Sequence, residues 1–456
     1  MPSPSLFTAF AGFLVKKKAS SINLFLVNAL MEGDHMDSNS FLLSFGMKPE
    51  EFERTDGPIL SDEGFVYEAW EAARGVLCPE CGSGSCVIKA HYTAELRLRS
   101  DILKKEVLIC HRIKYVCKAC GKTFTIPLKG AMVGRKLTYL ERATILAELD
   151  QGDTFARVAA SHGISKQSVI PIFDEAHPFV KRRPLPRILL IDEFKFNTRF
   201  SKYCCHLVDF ETSETVDVIR SRQKAYLDEY SGSMAEGERR RVKILVTDMY
   251  DEYAAVARKW LPCASVIVDR FHVVKQLTEA VNKLRVAAMA RHADDTPAYN
   301  FMKSKWKAFL CRKRDIPDKW YTRKSDGESW HYDELIGYCL GLDVDLSNAY
   351  DRLQDLYYYM REQPTLAKAV ECVRFVAQKL ENCSCAALSK VAATYRKRET
   401  EIARGMAKNE FGSVLTNAKM EAGNDVAQTM MDAAYGYHNF ERFRKRFLLM
   451  RWNRRK

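Results

Sequence analysis

Two Cys-x-x-Cys pairs carry the sharpest chemistry in this sequence. They are Cys78-Pro-Glu-Cys81 and Cys117-Lys-Ala-Cys120, with 35 residues between them and a Gly directly after each second Cys, Gly82 and Gly121. Four thiolates in two such turns supply the tetrahedral sulfur set that zinc prefers, so the spacing predicts one structural zinc. Cys86, His91, Cys110 and His111 lie between the pairs and stay open as substitute ligands. The pairs are preferred because their local geometry repeats.

Carboxylates form the second constellation. Asp192 follows Ile-Leu-Leu-Ile and Asp248 follows Ile-Leu-Val-Thr. Acids at the C-terminal ends of buried strands sit at a sheet edge, where a site can open. A third carboxylate from a late helix would complete a cage for two divalent ions about 4 Å apart, the arrangement that activates the attacking oxygen and stabilises the leaving one in phosphodiester chemistry. Hard oxygen ligands select magnesium or manganese over zinc.

The elements that must position these groups follow from periodicity. Alternating apolar and polar residues around Ala94–Leu98 and Val107–Val116 suggest the strands of a zinc ribbon over residues 78–127. From Arg135 to Ala176 the pattern is helical, and residues 133–180 read as a helix-turn-helix domain. Ala159 sits where two helices touch, Gly163 suits a left-handed turn and Val169 anchors the second helix. On that reading Ser165, Lys166, Gln167 and Ser168 open the recognition helix and face DNA; the plain alternative is a helical hairpin.

After the basic linker Lys181–Arg187, buried strands are expected at Arg187–Phe194, Val242–Asp248 and Ala264–Asp269, with further strands at Tyr203–Asp209 and Thr215–Ile219. Three hairpin-like strands followed by strand-helix-strand-helix is the order of an RNase H-like fold. A Rossmann fold would want a glycine-rich first turn, which Asp192-Glu-Phe-Lys is not. The fold class is therefore multidomain α/β: zinc ribbon, helix-turn-helix, then an RNase H-like mixed sheet. No internal repeat or low-complexity tract stands out.

The chain's 456 residues suggest about three domains, and 47% hydrophobic with 28% charged residues excludes a disordered or collagen-like chain. A net charge of +13 favours a polyanionic partner, chiefly nucleic acid. Fourteen cysteines diluted over this length read as reduced thiols. Lys16–Lys18 follow the apolar stretch Leu6–Val15 instead of preceding it, so no secretory signal is expected. With no membrane-length apolar run either, the expected location is cytoplasmic, on nucleoid DNA. Residues 1–35 read as a disordered extension or a misplaced start, with Met36 opening an ordinary polar segment to residue 77.

Four landmarks in order carry a family resemblance: the ribbon ending Cys117-Lys-Ala-Cys-Gly-Lys-Thr-Phe; Ile191-Asp192-Glu-Phe; Thr247-Asp248-Met-Tyr with Val268-Asp269-Arg-Phe-His272-Val-Val-Lys; and Asn417-Ala-Lys-Met-Glu421 with Tyr435-Gly-Tyr-His-Asn-Phe. From Cys78 to about Arg446 the chain resembles the insertion-sequence transposases of the ISL-three group, of the DDE class with an RNase H-like core. The resemblance implies that Asp192, Asp248 and Glu421 form the catalytic triad and hold magnesium or manganese. It also implies a helical insertion over 286–410, dividing the core into 187–285 and 411–456. Asp269 and His272 look like an Asp-x-x-His signature of transposases. Asp269 ends a strand as Asp248 does and rivals it as second metal ligand, whereas His272 packs or hydrogen-bonds nearby.

The sequence departs from the family after Glu421: Ala-Gly-Asn424-Asp-Val-Ala-Gln428 has no lysine, and no basic residue follows before Arg442. This puts a lysine contact to the transposon end in doubt. The closing run from Arg442 to Lys456 is basic, interleaved with Phe443, Phe447 and Trp452, and fits either a solvated face or DNA backbone contact. The expected function is a DNA transposase that binds terminal inverted repeats and target DNA, cleaves and transfers strands with two magnesium ions, and works as a dimer or higher oligomer in a synaptic complex. A catalytically silent DNA-binding protein and an RNase H-like repair nuclease are the rivals.

Overall fold

The computed structural model describes residues 38–62, 64–100, 105–196, 201–291, 296–322, 327–409, 414–434, 437 and 439–453. The extension 1–35, Glu410, Tyr435, Gly436, His438 and the last three basic residues lie outside the described residues. The chain divides into two compact units, Met1–Pro178 and Phe179–Lys456.

The first unit is built on a five-stranded sheet. Its strands are β1 (Phe52–Ser61), β2 (Gly64–Glu71), β3 (Cys86–Ser100), β4 (Lys105–Cys117) and β5 (Thr123–Thr125), in the order β1-β2-β4-β3 with β5 on β4. The stretch 36–77, which shows little by sequence, supplies α1 (Ser38–Ser44) and the hairpin β1–β2, and β2 joins β4 in parallel. Phe41, Leu42, Phe45, Met47, Tyr67 and Ala69 from this stretch close a core with Leu96, Leu98, Leu108 and Cys110. The ribbon is thus the outer end of a larger sheet whose apolar core lies away from the cysteines. Three helices follow: α2 (Tyr139–Gln151), α3 (Phe155–Ser161) and α4 (Lys166–Ala176). Thr138, Thr154 and Ser165 cap them, each side chain accepting a backbone N–H three residues on.

The second unit holds a five-stranded mixed sheet of β6 (Ile188–Lys195), β7 (Tyr203–Asp209), β8 (Thr215–Ile219), β9 (Ile244–Thr247) and β10 (Ser265–Val268), in the order β10-β9-β6-β7-β8. β7 is antiparallel to both β6 and β8; β6, β9 and β10 are parallel. The β6 run is apolar throughout because both faces are covered. Leu189 and Ile191 face a core with α5 (Lys224–Gly232) and α6 (Asp251–Trp260), while Ile188 and Leu190 face Leu415 and Met420.

A helical body with its own large core spans α7 (Arg270–Ala290), α8 (Pro297–Ser304), α9 (Tyr332–Gly341), α10 (Val344–Glu362), α11 (Leu366–Glu381), α12 (Ala386–Lys397) and α13 (Glu399–Met406). The expected boundary at 285/286 falls inside α7, whose buried residues from Val273 to Ala288 all belong to this body. Asp269 occupies the N-cap position of that helix without a side-chain cap hydrogen bond, so one helix leads directly from the sheet end into the helical body. The chain returns as α14 (Ala418–Ala433) and α15 (Phe440–Asn453). Among the described residues no helix is long and apolar enough to cross a membrane.

Candidate functional sites

The four paired cysteines converge: Sγ atoms of Cys78, Cys81, Cys117 and Cys120 all lie within 4.8 Å of one another. Cys78–Cys120 and Cys81–Cys117 are each 3.6 Å apart, close to the roughly 3.8 Å that a tetrahedral ion with about 2.3 Å sulfur bonds imposes. Two copies of one turn create this. Cys78 N–H donates to Ser83 O and Cys117 N–H to Lys122 O, while Gly82 N–H donates to Cys78 O and Gly121 N–H to Cys117 O, all at 2.9 Å. Gly82 and Gly121 take φ of 71° and 74°, the left-handed region that favours glycine. The backbone N–H of Cys120 aimed at its sulfur holds the Cys117 thiol down to about 6. Of the substitute ligands, Cys86 lies beside the cluster, opposite Cys117, but outside the set of four; the others lie away from the cluster. Cys86 donates to Ser83 O. His91 is exposed on β3. Cys110 is buried, its thiol pushed up to about 12 by burial. His111 stacks on Trp70 and meets Glu68 at 3.2 Å. The set is compatible with a zinc ribbon.

At the helix pair, Ala159 and Val169 are buried and Gly163 has φ of 58°. Ser165, Lys166, Gln167 and Ser168 are all exposed. The two serines bond each other at 2.9 Å and Ser165 accepts the Ser168 N–H, so Ser165 is the cap of α4 and not its first turn. The packing includes His162, fully buried, 2.7 Å from Glu141 and 3.2 Å from Glu148.

The acids meet at the end of the second sheet. Asp192 is not the last residue of its strand. The parallel ladder with β9 ends at Leu190, but β6 runs on to Lys195 against β7, with Asp192 opposite His206. Asp192 therefore projects just past the point where its parallel neighbour stops. Asp248 follows β9 and accepts the Tyr250 N–H at 2.8 Å; Asp269 follows β10, its N–H donating to Thr247 O at 2.8 Å. Burial pushes the Asp192 carboxyl up; the Glu193 N–H and the His272 ring oppose this, and Asp248 and Asp269 reinforce it. Burial likewise raises Asp269, which also feels His272, backbone N–H groups of Asn417 and Phe271, and the Glu421 charge. Asp269 is 2% exposed and its Oδ1 has no hydrogen-bond partner among the described residues. Glu421, in the first turn of α14, is exposed.

No three of these carboxylates have oxygens all within 4.8 Å of one another. A two-ion cage does not require it: ions about 4 Å apart with oxygen ligands about 2 Å away spread the oxygens over up to roughly 8 Å. The donor set is all oxygen, and the orphaned Asp269 Oδ1 is the kind of buried atom a cation would satisfy, so these residues fit a hard divalent ion.

Sequence reading missed the chain that ties Glu421's helix to the sheet. Asn424, one turn on, donates from Nδ2 to Asp192 Oδ2 at 3.3 Å, and its Oδ1 meets His206 Nδ1 at 2.9 Å. His206 Nε2 meets the Thr215 hydroxyl at 3.0 Å. Burial pushes His206 down to about 4, so at neutral pH it is uncharged, donating to Asn424 and accepting from Thr215. Gly423 permits the approach, since a Cβ there would lie 2.7 Å from His206 Cε1. Asn417 donates to Ile191 O at 3.4 Å. Glu193 was missed too: it pairs with Arg222 and accepts the Tyr253 hydroxyl at 3.2 Å. Its position directly after Asp192 was the available signal.

Over its described residues, 442–453, the basic C-terminal run is mostly packed against the sheet and is not a free cationic stripe. Phe443 and Phe447 are fully buried against Phe194, Arg444 pairs with buried Asp217 at 2.6 Å, Arg446 donates to the Tyr437 hydroxyl, and Trp452 donates to Thr215 O at 2.9 Å. Helix α15 uses its cations to fasten itself to β8.

A family model described as transposase, of the ISL3 group, matches residues 189–447, more than half of the chain and a span that includes all four acids. The transposase for insertion sequence element IS1001 of Bordetella parapertussis is 24% identical over 420 residues, covering 90% of this chain and 95% of that relative. Strand ends, late helix and both similarities lead to one conclusion: the chain belongs to the ISL3 group of insertion-sequence transposases.

Proposed function

We propose that this transposase binds the terminal inverted repeats of its element through the unit Met1–Pro178 and cuts and rejoins DNA at the acids of the second unit. The observation that carries this is the electrostatic coupling of Asp192, in β6 just past its pairing with β9, to Asp248 and Asp269, which follow β9 and β10, and of Asp269 to Glu421 on α14, together with a buried Asp269 oxygen that has no hydrogen-bond partner among the described residues. The strand order, with one antiparallel strand among parallel neighbours, supports an RNase H-like core. Asp192, Asp248 and Glu421 are the proposed catalytic triad, with Asp269 beside Asp248 as a ligand and His272 a charge neighbour of Asp192 and Asp269. Bound magnesium or manganese ions would activate the attacking oxygen, water for the first cut and a 3′ hydroxyl for transfer, and stabilise the leaving one. The residues contribute position: Asn424 holds Asp192 and carries Glu421 on the same helix.

In the first unit, Cys78, Cys81, Cys117 and Cys120 would hold zinc, and exposed Lys166 and Gln167 on α4 would read the repeat. Ser165 and Ser168 serve that surface by capping. Two DNA ends must be joined in one event, so a dimer or larger synaptic complex is part of the reading. The test is cleavage of DNA carrying the element's ends in magnesium or manganese. Glu421→Gln and Asp192→Asn should lose cleavage by orders of magnitude while still binding the ends. An Asp425→Asn chain that fails while Glu421→Gln cuts normally would move the third acid to another turn of α14.

A further inference from the structure

We propose that the helical body carries a second DNA surface, built on residues 303–322, which holds a strand with unpaired bases: lysines on its phosphates and the Trp320 ring against a base. It rests on the reading that the chain acts on DNA, and names a part of that substrate the acids do not touch.

Charge is the first observation. Residues 303–322 contain seven Lys or Arg and two Asp, a surplus of five in a chain whose total is +13. Both acids are occupied, Asp318 by His331 at 2.7 Å and Asp315 by Arg314 at 3.5 Å. Lys303, Lys305, Lys307, Lys313 and Lys319 are exposed and have no carboxylate partner among the described residues. Elsewhere the protein spends its cations on fastening, as in α15; here it leaves them in solvent.

The second observation is aromatic. Trp320 is 66% exposed and Trp306 40%, although a large buried core lies directly beneath. That core is organised by Phe301, fully buried, with ring contacts to Phe309 at 5.8 Å, Tyr321 at 5.4 Å and Tyr332 at 5.1 Å. In the short strand Trp320–Thr322, paired with Ser329–His331, alternation turns Tyr321 inward and Trp320 outward. Trp320 meets the His331 ring edge-to-face at 5.6 Å and is otherwise exposed; lysines beside an exposed aromatic ring form the recognition pattern for strands with exposed bases, because every base offers a π-face. Phosphates alone would not call for the tryptophan.

The third observation is reach. Helix α7 starts at Asp269, and its Arg285 donates to Met302 O, at the end of α8 and the start of this segment. Arg285 lies about 24 Å along the helix from Asp269, roughly seven nucleotides of stacked strand at about 3.4 Å each. One DNA strand can span both places.

The test uses the full chain and fluorescence anisotropy with labelled oligothymidylate, beside a random-sequence duplex. Trp320→Ala should weaken oligothymidylate binding by about 5- to 150-fold, the range for one stacked base, and leave duplex affinity unchanged. Trp320→Phe, which keeps a ring, should retain most of it. Lys303→Glu with Lys305→Glu and Lys307→Glu should lower the slope of log Kd against log salt by about two. Parent-like oligothymidylate binding by Trp320→Ala, an equal loss on duplex, or an unchanged salt slope in the triple variant would overturn the surface. Cleavage separates the two readings. An Asp192→Asn chain that still cuts while Trp320→Ala loses oligothymidylate overturns the acidic site alone, and the reverse pair of results overturns this surface alone.

Discussion

The cysteine site and the acidic site are both sets of converging ligands, yet they are made in opposite ways. Each cysteine pair is a short turn that builds itself, the same two hydrogen bonds appearing in each, and pairing of Cys86 with Cys117 between β3 and β4 brings the two turns together. The acids come from the interior of β6, the end of β9, the N-cap position of a long helix and a helix that returns after the whole helical body. The first site is made by local turns whose four sulfurs could hold a metal ion; the second exists only when a unit of nearly 280 residues has folded. Removing ligands should therefore damage structure at the first and chemistry at the second.

The largest expected effect is on zinc. Cys117→Ser with Cys120→Ser should reduce bound zinc from about one per chain to background, forfeiting a binding free energy on the order of 10–16 kcal/mol. Because the apolar core lies at the far end of the sheet, hydrogen-exchange protection should vanish around residues 78–89 and 114–122 but persist at Leu96–Leu98 and Leu108–Cys110. Loss of protection throughout the sheet would show that the core depends on the metal after all.

Next come the carboxylates. Asp192→Asn and Glu421→Gln should each lower cleavage about a thousandfold or more with no loss of fold, and the double variant should be scarcely worse, since groups that act as a unit are not additive. Multiplying effects in the double variant would mean the two acids act independently. A smaller loss is expected at the helix contact. Gly423→Ala forces a Cβ against His206 and should displace Asn424 from Asp192, lowering kcat by about tenfold to hundredfold with KM for DNA little changed. A changed KM with kcat intact would place Gly423 in DNA binding.

The first unit should also respond to pH. Burial pulls the His162 pKa down, but hydrogen bonds and charge from Glu141 and Glu148 outweigh it, so the net shift is upward. A raised histidine stabilises fully below its ordinary value near 6.5, and that stabilisation is lost as pH rises through the raised value. Proteolysis within 139–176 should quicken as pH rises above the ordinary histidine value and through the raised one, and His162→Gln should remove that step. The smallest effect is at α4: Lys166→Ala with Gln167→Ala should reduce preference for terminal-repeat over random DNA by about 1–3 kcal/mol while random-DNA affinity changes little.

Much of this was legible early because it is local. Strands β7 and β8 begin and end where the β-rich segments of the sequence place them, at Tyr203–Asp209 and Thr215–Ile219. The hairpin β1–β2 was not legible, because its residues draw their meaning from pairing with β4, more than 30 positions away. The C-terminal cations read as a surface because sequence cannot show that Asp217 waits buried beneath Arg444.

The sequence by itself determined the cysteine turns, the buried strands with acids at their ends and the family, since each is written in residues a few positions apart whose backbone geometry follows from their own side chains. Tertiary structure alone decided the rest. It set Asn424 between Asp192 and a neutral His206, left Asp269 Oδ1 without a partner among the described residues, and kept Trp320 in solvent above Phe301. These are contacts across distances of chain over which no periodicity survives, and only burial, which sets the cost of every unpaired charge and exposed ring, selects among them.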